Sequence, residues 1–276
     1  MKARYPKRTE AEADPMQLVF DIGNTMAKCA FFDEQEAIAA RYQMKTIPEK
    51  SYDDYLSPFL LFLKSKDLDP RYVKGAVISS VVPSLTPLFL RMIQEVFGVE
   101  AKTIGPGFKT GVAVRTDNPK EVGADLIGDA MGVHALYGKG PAIVADMGTA
   151  TKLILLDHQG DFVGCSIAPG LGLGLSALVN NTAALTEVSL QIPPKIIGKN
   201  TTDSMNSGLI YGAAFQIKAM ADAVEKEVGY PCRKILTGGY SEYVVSLLPE
   251  FDYEPDLLVK GLEKALLSYQ EKGHGR

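Results

Sequence analysis

Two similar segments recur in this chain 125 residues apart, and their repetition constrains the fold more than any other feature. The first reads VFDIGNTMAK, residues 19–28, and the second reads VADMGTATKL, residues 144–153. Each is an apolar run that ends at an aspartate, Asp21 or Asp146, with a glycine two residues later. This pattern is typical of a buried strand and the turn that follows it. The repetition predicts a duplicated unit, with two turns whose glycines let the backbone approach a ligand closely.

Around the two turns, strand-like and helix-like segments alternate along the chain. A β-branched run at residues 75–82 predicts a strand, and Ser84 and Pro87 signal a helix that runs through Phe97. From Leu209 onward, apolar residues recur at the spacing of a long amphipathic helix. This alternation predicts an α/β fold.

The length of 276 residues, with 46% hydrophobic residues, allows two lobes, each with its own core. We expect a charged arm at residues 1–15, one lobe at 16–125 and a second at 126–270, with a hinge near 115–140. The uncharged segment at residues 162–179 contains a proline and four glycines, which argues against a membrane span.

The net charge of −4 provides no basic face, so no nucleic-acid partner is expected. Three cysteines are too few for a disulfide framework and are expected to be reduced core or near-core thiols. These features predict a cytoplasmic protein.

The residues of the two turns suit phosphate binding. Asn24, Thr25 and Thr149 are short donors that can reach phosphate oxygens, whereas Asp21 and Asp146 can hold a metal ion or orient a water. Ordinary hairpin turns use the same residue types, so the pattern alone leaves both interpretations open.

Asp125 lies near the start of a predicted amphipathic helix, residues 126–137. A carboxylate there is normally a cap or a partner of the helix dipole. Its spacing alone does not distinguish this role from a catalytic one.

Three further segments also have two interpretations. Residues 168–185 are rich in glycine, with a helix expected from Ser176, and fit a binding loop or a structural corner. Thr201 or Thr202 is expected to cap the long helix. Residues 236–240, LTGGY, end a strand and are expected to lead into a helix; the glycine pair suits nucleotide binding or a simple turn.

Taken in order, nine segments over residues 17–265 resemble type III pantothenate kinases. They are DIGNT, ISSVVP, GPGFKTGV, DNPKEVGAD, DMGTAT, APGL, GKNTTDSMNSGLIYG, LTGGY and PDLLVKGL. The resemblance implies the duplicated ribonuclease-H-like fold of the acetate kinase, sugar kinase, Hsp70 and actin superfamily, with two lobes and a central cleft. It also implies ATP-dependent phosphorylation of pantothenate to 4′-phosphopantothenate, the first step of coenzyme A biosynthesis.

The resemblance implies as cofactors ATP, Mg²⁺ and a monovalent cation, K⁺ or NH₄⁺, and as partners pantothenate and a second copy of the chain. Asp125 would be the general base, and Asp146 would hold the monovalent cation. The residues implied for ATP are Asp21, Ile22, Gly23, Asn24, Thr25, Met26, Ala27, Lys28 and Thr149. Those implied for the substrate are Thr116, Gly123, Ala124, Asp125, Leu126 and Thr201.

The chain departs from the family pattern at three positions. Leu126 stands where the family has arginine, Thr116 where it usually has tyrosine, and Lys152 where it usually has a further threonine. Loss of an arginine partner for the pantothenate carboxylate removes a charge-assisted hydrogen bond worth roughly 1.5–3 kcal/mol. Two alternatives follow: a kinase for another small alcohol, or a non-catalytic nucleotide-binding relative with an accessory or regulatory role.

Overall fold

The computed structural model describes residues 15–105, 108–180 and 188–271. It contains two compact units. In the described part of the chain, the first unit consists of residues 15–111, 121–136 and 258–271, and the second of residues 112–120 and 137–257, less the gaps above. Most of the predicted arm at 1–15 and the tail beyond Glu271 lie outside the described residues.

Ten strands and six α-helices form these units in the described part of the chain. The strands are β1 Met16–Ile22, β2 Met26–Phe32, β3 Ile38–Lys45, β4 Val73–Ser80, β5 Lys102–Thr103, β6 Ala142–Met147, β7 Ala150–Leu156, β8 Phe162–Pro169, β9 Arg233–Thr237 and β10 Asp252–Tyr253. The helices are α1 Tyr52–Ser65, α2 Thr86–Phe97, α3 Ala124–Tyr137, α4 Leu171–Asn180, α5 Thr201–Val228 and α6 Leu257–Tyr269.

The two units contain sheets of the same topology. The first sheet has the order β3-β2-β1-β4-β5, and the second has the order β8-β7-β6-β9-β10. In both, the strand that carries the repeated aspartate pairs antiparallel with the next strand and parallel with a later one. The duplication predicted from the two turns is therefore confirmed at the level of strand order and direction.

Each sheet has its own apolar core. In the first unit, the ring of Phe20 on β1 packs against Phe59 of α1 and Phe89 of α2, with ring centroids 5.7 and 5.4 Å apart. Helix α1 begins at a capping box in which Ser51 and Asp54 bond reciprocally. In the second unit, strands β6, β7 and β9 pack against α5. Burial of these faces supplies the main favourable free energy of folding.

Several local predictions need correction. Helix α3 is buried along residues 126–133 rather than amphipathic. It crosses α6 so closely that a Cβ on Gly261 would meet the backbone of Gly128 and Gly132. Helix α4 begins at Leu171 rather than Ser176. After β9, two short 3₁₀ helices replace the expected α-helix.

Other predictions concern thiols and boundaries. Cys29 is buried, but Cys165 is exposed, so the near-core prediction is wrong for Cys165. The division into lobes at residues 16–125 and 126–270 stays a prediction. The two compact units contain one sheet each, and the first also includes most of α3 and α6.

None of the helices in the described ranges is both long enough and apolar enough to cross a bilayer.

Candidate functional site

The first repeated turn is a tight connection between β1 and β2. Gly23 N donates to Met26 O at 3.0 Å, and Thr46 holds the turn through two further bonds. Its Oγ1 donates to Gly23 O at 2.7 Å, and its backbone N donates to Thr25 O at 2.9 Å. Thr46, the residue that directly follows β3, therefore fixes the turn. The side chains of Asn24 and Thr25 are exposed.

The residues flanking this turn divide into accessible and buried positions. Asp21 lies opposite Lys28 in the antiparallel register, and both side chains are partly exposed. Ile22 and Ala27 are fully buried. Only their backbone groups are therefore available to a ligand at this turn, whereas Asp21 and Lys28 can offer charged side chains.

Asp125 lies in the same unit, in the first turn of α3. Its Oδ1 accepts a hydrogen bond from Leu126 N at 3.0 Å. The preceding Gly123 is packed so that an added Cβ would lie 3.5 Å from Val81 Cγ1 and would collide with Asp125 Oδ1. Val81 N in turn donates to Ile22 O at 3.0 Å. The loop before α3 therefore lies at the end of the sheet from which the first turn projects.

The second repeated turn, between β6 and β7, is surrounded by glycines from two distant segments. Gly148 N donates to Ala150 O at 3.0 Å, and Gly170 N donates to Thr149 O at 3.1 Å. A Cβ on Gly170 would lie 2.5 Å from Gly148 O. The glycine-rich segment after β8 thus packs directly on this turn, and Gly170 is required for that packing.

The LTGGY segment after β9 reaches the same turn from another side. Tyr240 N donates to Met147 O at 2.9 Å. Gly238 has a φ of +94°, and a Cβ there would lie 2.5 Å from both Asp146 Oδ1 and Met147 N. The left-handed conformation and the close approach both require glycine at this position.

The aspartate of the second turn forms an ion pair with a lysine on the adjacent strand. Lys152 lies opposite Asp146 in the β6–β7 register, and its Nζ donates to Asp146 Oδ2 at 2.7 Å. The lysine and aspartate side chains are 16% and 12% exposed. This register repeats the Asp21–Lys28 arrangement of the first turn.

Arg115, which directly precedes Thr116, is bound to Asp161 in the second unit. Its Nη2 donates to Asp161 Oδ2 at 2.8 Å, and Ala113 N donates to Asp161 Oδ1 at 3.0 Å. The Ala113 amide and then the Arg115 guanidinium hold the pKa of the Asp161 carboxyl below its usual range. Asp161 was not among the residues predicted from the sequence; it directly follows a turn in which Gly160 N donates to Asp157 O at 2.9 Å.

Comparison with known proteins identifies the family. The family model of type III pantothenate kinases matches residues 17–223. The type III pantothenate kinase of Moorella thermoacetica is 36% identical over 250 residues, which cover 90% of this chain and 97% of that protein. The Agathobacter rectalis enzyme is 33% identical over 260 residues, which cover 94% and 99%. The chain belongs to the type III pantothenate kinases.

Solved structures show the same fold. A conserved putative Baf family transcriptional activator from Campylobacter jejuni aligns with a TM-score of 0.57 at 18% identity, covering 93% of this chain and 99% of that one. A putative 2-dehydro-3-deoxygalactonokinase from Sinorhizobium meliloti gives 0.54 at 15%, covering 90% and 95%. Together with the repeated strand order, these likenesses confirm the duplicated ribonuclease-H-like fold.

Within this type III pantothenate kinase, the residues expected on the substrate side occupy varied environments. Thr116 is partly buried with its Oγ1 enclosed, and Leu126 is only 7% exposed. Thr201 is exposed and is the first residue of α5. The predicted threonine cap is wrong: Asn200 caps α5, its side chain accepting from Asp203 N at 2.8 Å. The extended backbone of Asn200, just before the helix, places its side-chain oxygen within reach of the Asp203 N–H group.

Proposed function

We propose that this protein transfers the γ-phosphoryl group of ATP to the hydroxyl of pantothenate, giving 4′-phosphopantothenate for coenzyme A biosynthesis. Its membership of the type III pantothenate kinases carries the proposal. The matched span, residues 17–223, includes both repeated turns and Asp125. The family match therefore spans the segments on which the chemistry would depend.

The two turns would hold the ATP phosphates. We assign this role to the segment from Asp21 to Lys28 and to Thr149. Phosphoryl transfer depends mainly on positioning and charge neutralisation, and these turns offer backbone amides, exposed Asn24 and Thr25 side chains, and the Lys28 ammonium. The hydrogen bonds of Thr46 support the proposal, since they fix the first turn before a ligand arrives.

The Asp21 carboxylate suits a divalent ion such as Mg²⁺. Magnesium is usually bound by one or two carboxylates together with substrate phosphates, and it keeps several waters. Over the described ranges, no three His, Cys, Asp or Glu side chains cluster as a metal centre. Asp21 offers one partly exposed carboxylate at the first turn, which matches the few protein ligands that magnesium takes beside phosphates. When bound, the ion would supply positive charge to the phosphates.

The resemblance also implies a free monovalent cation at Asp146, and here the residues do not fit. Asp146 Oδ2 already accepts a hydrogen bond from the Lys152 ammonium at 2.7 Å. No step of the proposed reaction is therefore assigned to a free potassium or ammonium ion.

Asp125 would act as the general base. A carboxylate can accept the proton of the attacking hydroxyl as the phosphoryl group is transferred. The bond from Leu126 N orients Asp125 Oδ1, and Gly123 packs beside it. Pantothenate would be held near this carboxylate by Thr116, Gly123, Ala124, Leu126 and Thr201.

The test is an assay of purified protein with ATP, Mg²⁺ and pantothenate, with 4′-phosphopantothenate measured by mass spectrometry. The matched control is Asp125→Asn, which keeps size and hydrogen bonding but cannot accept the proton. We expect turnover by the original protein and a loss of about 10²-fold or more in kcat for the variant. Equal product from both proteins, or none from the original protein, would contradict the proposal.

We also propose a cytoplasmic homodimer. In the described part of the second unit, nine large hydrophobic residues are exposed: Val163, Ile167, Leu173, Leu178, Ile192, Ile196, Ile197, Phe215 and Tyr253. Large exposed apolar surfaces are typical of protein–protein contacts. Light scattering after size-exclusion chromatography should give twice the chain mass of 29.8 kDa, and Ile197→Asp with Phe215→Asp should shift the mass towards the monomer. A monomeric original protein would contradict this part.

A further inference from the structure

We infer that the ammonium group of Lys152 acts as a tethered monovalent cation at the second turn. It would take the role that the family resemblance gives to potassium or ammonium, so the enzyme would need neither ion. This inference rests on the proposed assignment of the turn to ATP.

The charge on Asp146 is neutralised from within the sheet. The two residues are directly opposite in the β6–β7 register, and Nζ donates to Oδ2 at 2.7 Å. Both side chains are largely excluded from solvent, at 16% and 12% exposure. A lysine ammonium carries one positive charge and donates hydrogen bonds to oxygen, as a bound ammonium ion does.

The second carboxylate oxygen of Asp146, Oδ1, lies close to the backbone of Gly238 and Gly148. A Cβ on Gly238 would lie 2.5 Å from Asp146 Oδ1, and one on Gly148 would lie 3.7 Å from it. A free cation bound to this carboxylate would have to share it with the Lys152 ammonium. Two like charges a few ångströms apart in a partly desolvated site repel each other strongly.

The position of the lysine links it to the phosphate turn. Lys152 is the third residue of β7, the strand that leaves the turn. Thr149, the residue proposed to contact ATP, directly precedes this strand. A cation fixed here adds positive charge beside that residue, without the entropy cost of capturing an ion from solution. The same charge, supplied covalently, would be present at any concentration of potassium.

The inference is tested by measuring turnover with choline as the only monovalent cation, then adding potassium or ammonium chloride at constant ionic strength. Turnover of the original protein should change by less than about twofold. Lys152→Thr should lose activity in choline and regain about tenfold or more with potassium or ammonium, the size of one charge-assisted interaction.

A second readout does not depend on turnover. The melting temperature of Lys152→Thr, with a non-hydrolysable ATP analogue and Mg²⁺, should rise when potassium replaces choline, whereas that of the original protein should not. Lys234→Thr is the matched control. Lys234 is 14% exposed and pairs with Asp222 and Glu225 at 2.9 and 3.0 Å near the start of β9, so its loss removes a comparably buried ion pair away from the second turn.

Strong potassium activation of the original protein would overturn the inference. A folded Lys152→Thr variant whose melting temperature does not respond to potassium or ammonium would also overturn it. If no protein phosphorylates pantothenate, the proposed function fails, but the difference in melting temperature still decides whether Lys152 replaces a cation.

Discussion

Lys152 Nζ lies 2.7 Å from Asp146 Oδ2, across the two antiparallel strands that form the second repeated turn. The aspartate therefore has an intramolecular cation. The pair also makes the stability of this turn dependent on a residue outside the Asp-x-Gly motif.

Lys152→Met should destabilise the protein because it leaves a carboxylate that is 12% exposed without its partner. The expected loss lies between the roughly 1 kcal/mol of a surface pair and about 3–5 kcal/mol of a fully buried one. Urea unfolding of Lys152→Met, Asp146→Asn and the double variant measures it. The double variant should recover part of the loss; strictly additive effects would show that the two residues are not coupled.

Gly238→Ala should weaken both stability and ATP-analogue binding. An alanine there would have to adopt the φ of +94°, and its Cβ would crowd Asp146 Oδ1. We expect a loss of about 1–3 kcal/mol in unfolding free energy. Gly212→Ala is the control, since Gly212 lies inside α5 with open space around it, and this change should stabilise by about 0.5–1 kcal/mol. Equal effects from both substitutions would contradict the prediction.

Leu126→Arg should lower the KM for pantothenate by about tenfold, since it restores a charge-assisted partner for the carboxylate. Leu126 is 7% exposed, so the melting temperature must be compared to detect any cost of placing arginine there. An analogue in which an alcohol replaces the carboxylate is the control substrate. A fall in KM for both substrates would mean that the arginine does not act through the carboxylate.

Stability should depend on pH through Glu263 of α6, which is 2% exposed. Burial, and then the negative charge of Glu36, raise the pKa of Glu263 from 4.5 to about 7, while Lys264 opposes the shift. The folded state thus favours the protonated carboxyl. Its contribution to stability is present below pH 4.5 and is lost as the pH rises to about 7.

Glu263→Gln should remove this dependence. Its melting temperature should exceed that of the original protein by about 3 °C or more at about pH 8, with a smaller difference at about pH 5. Glu250→Gln is a control of opposite sign, because the Lys218 ammonium holds the pKa of Glu250 below its usual range. A Glu263→Gln difference that is constant with pH would refute the assignment.

The sequence by itself determined the parts of this protein that depend on local patterns. Apolar runs that end at Asp21 and Asp146 predicted two buried strands and their turns, and the repetition predicted two units of the same kind. Helix α2 was likewise predicted from a local signal, the residues Ser84 and Pro87 near its start. Periodicity and turn residues act over a few neighbours, so they can be recognised along the chain.

Only the tertiary structure decided which distant residues meet. The strand register places Lys152 against Asp146, and the fold brings Gly170 and Gly238 onto the second turn. Asp161 accepts a hydrogen bond from Arg115, which lies 46 residues earlier in the sequence. Such contacts depend on register and close packing between segments far apart in sequence, and no local pattern specifies them.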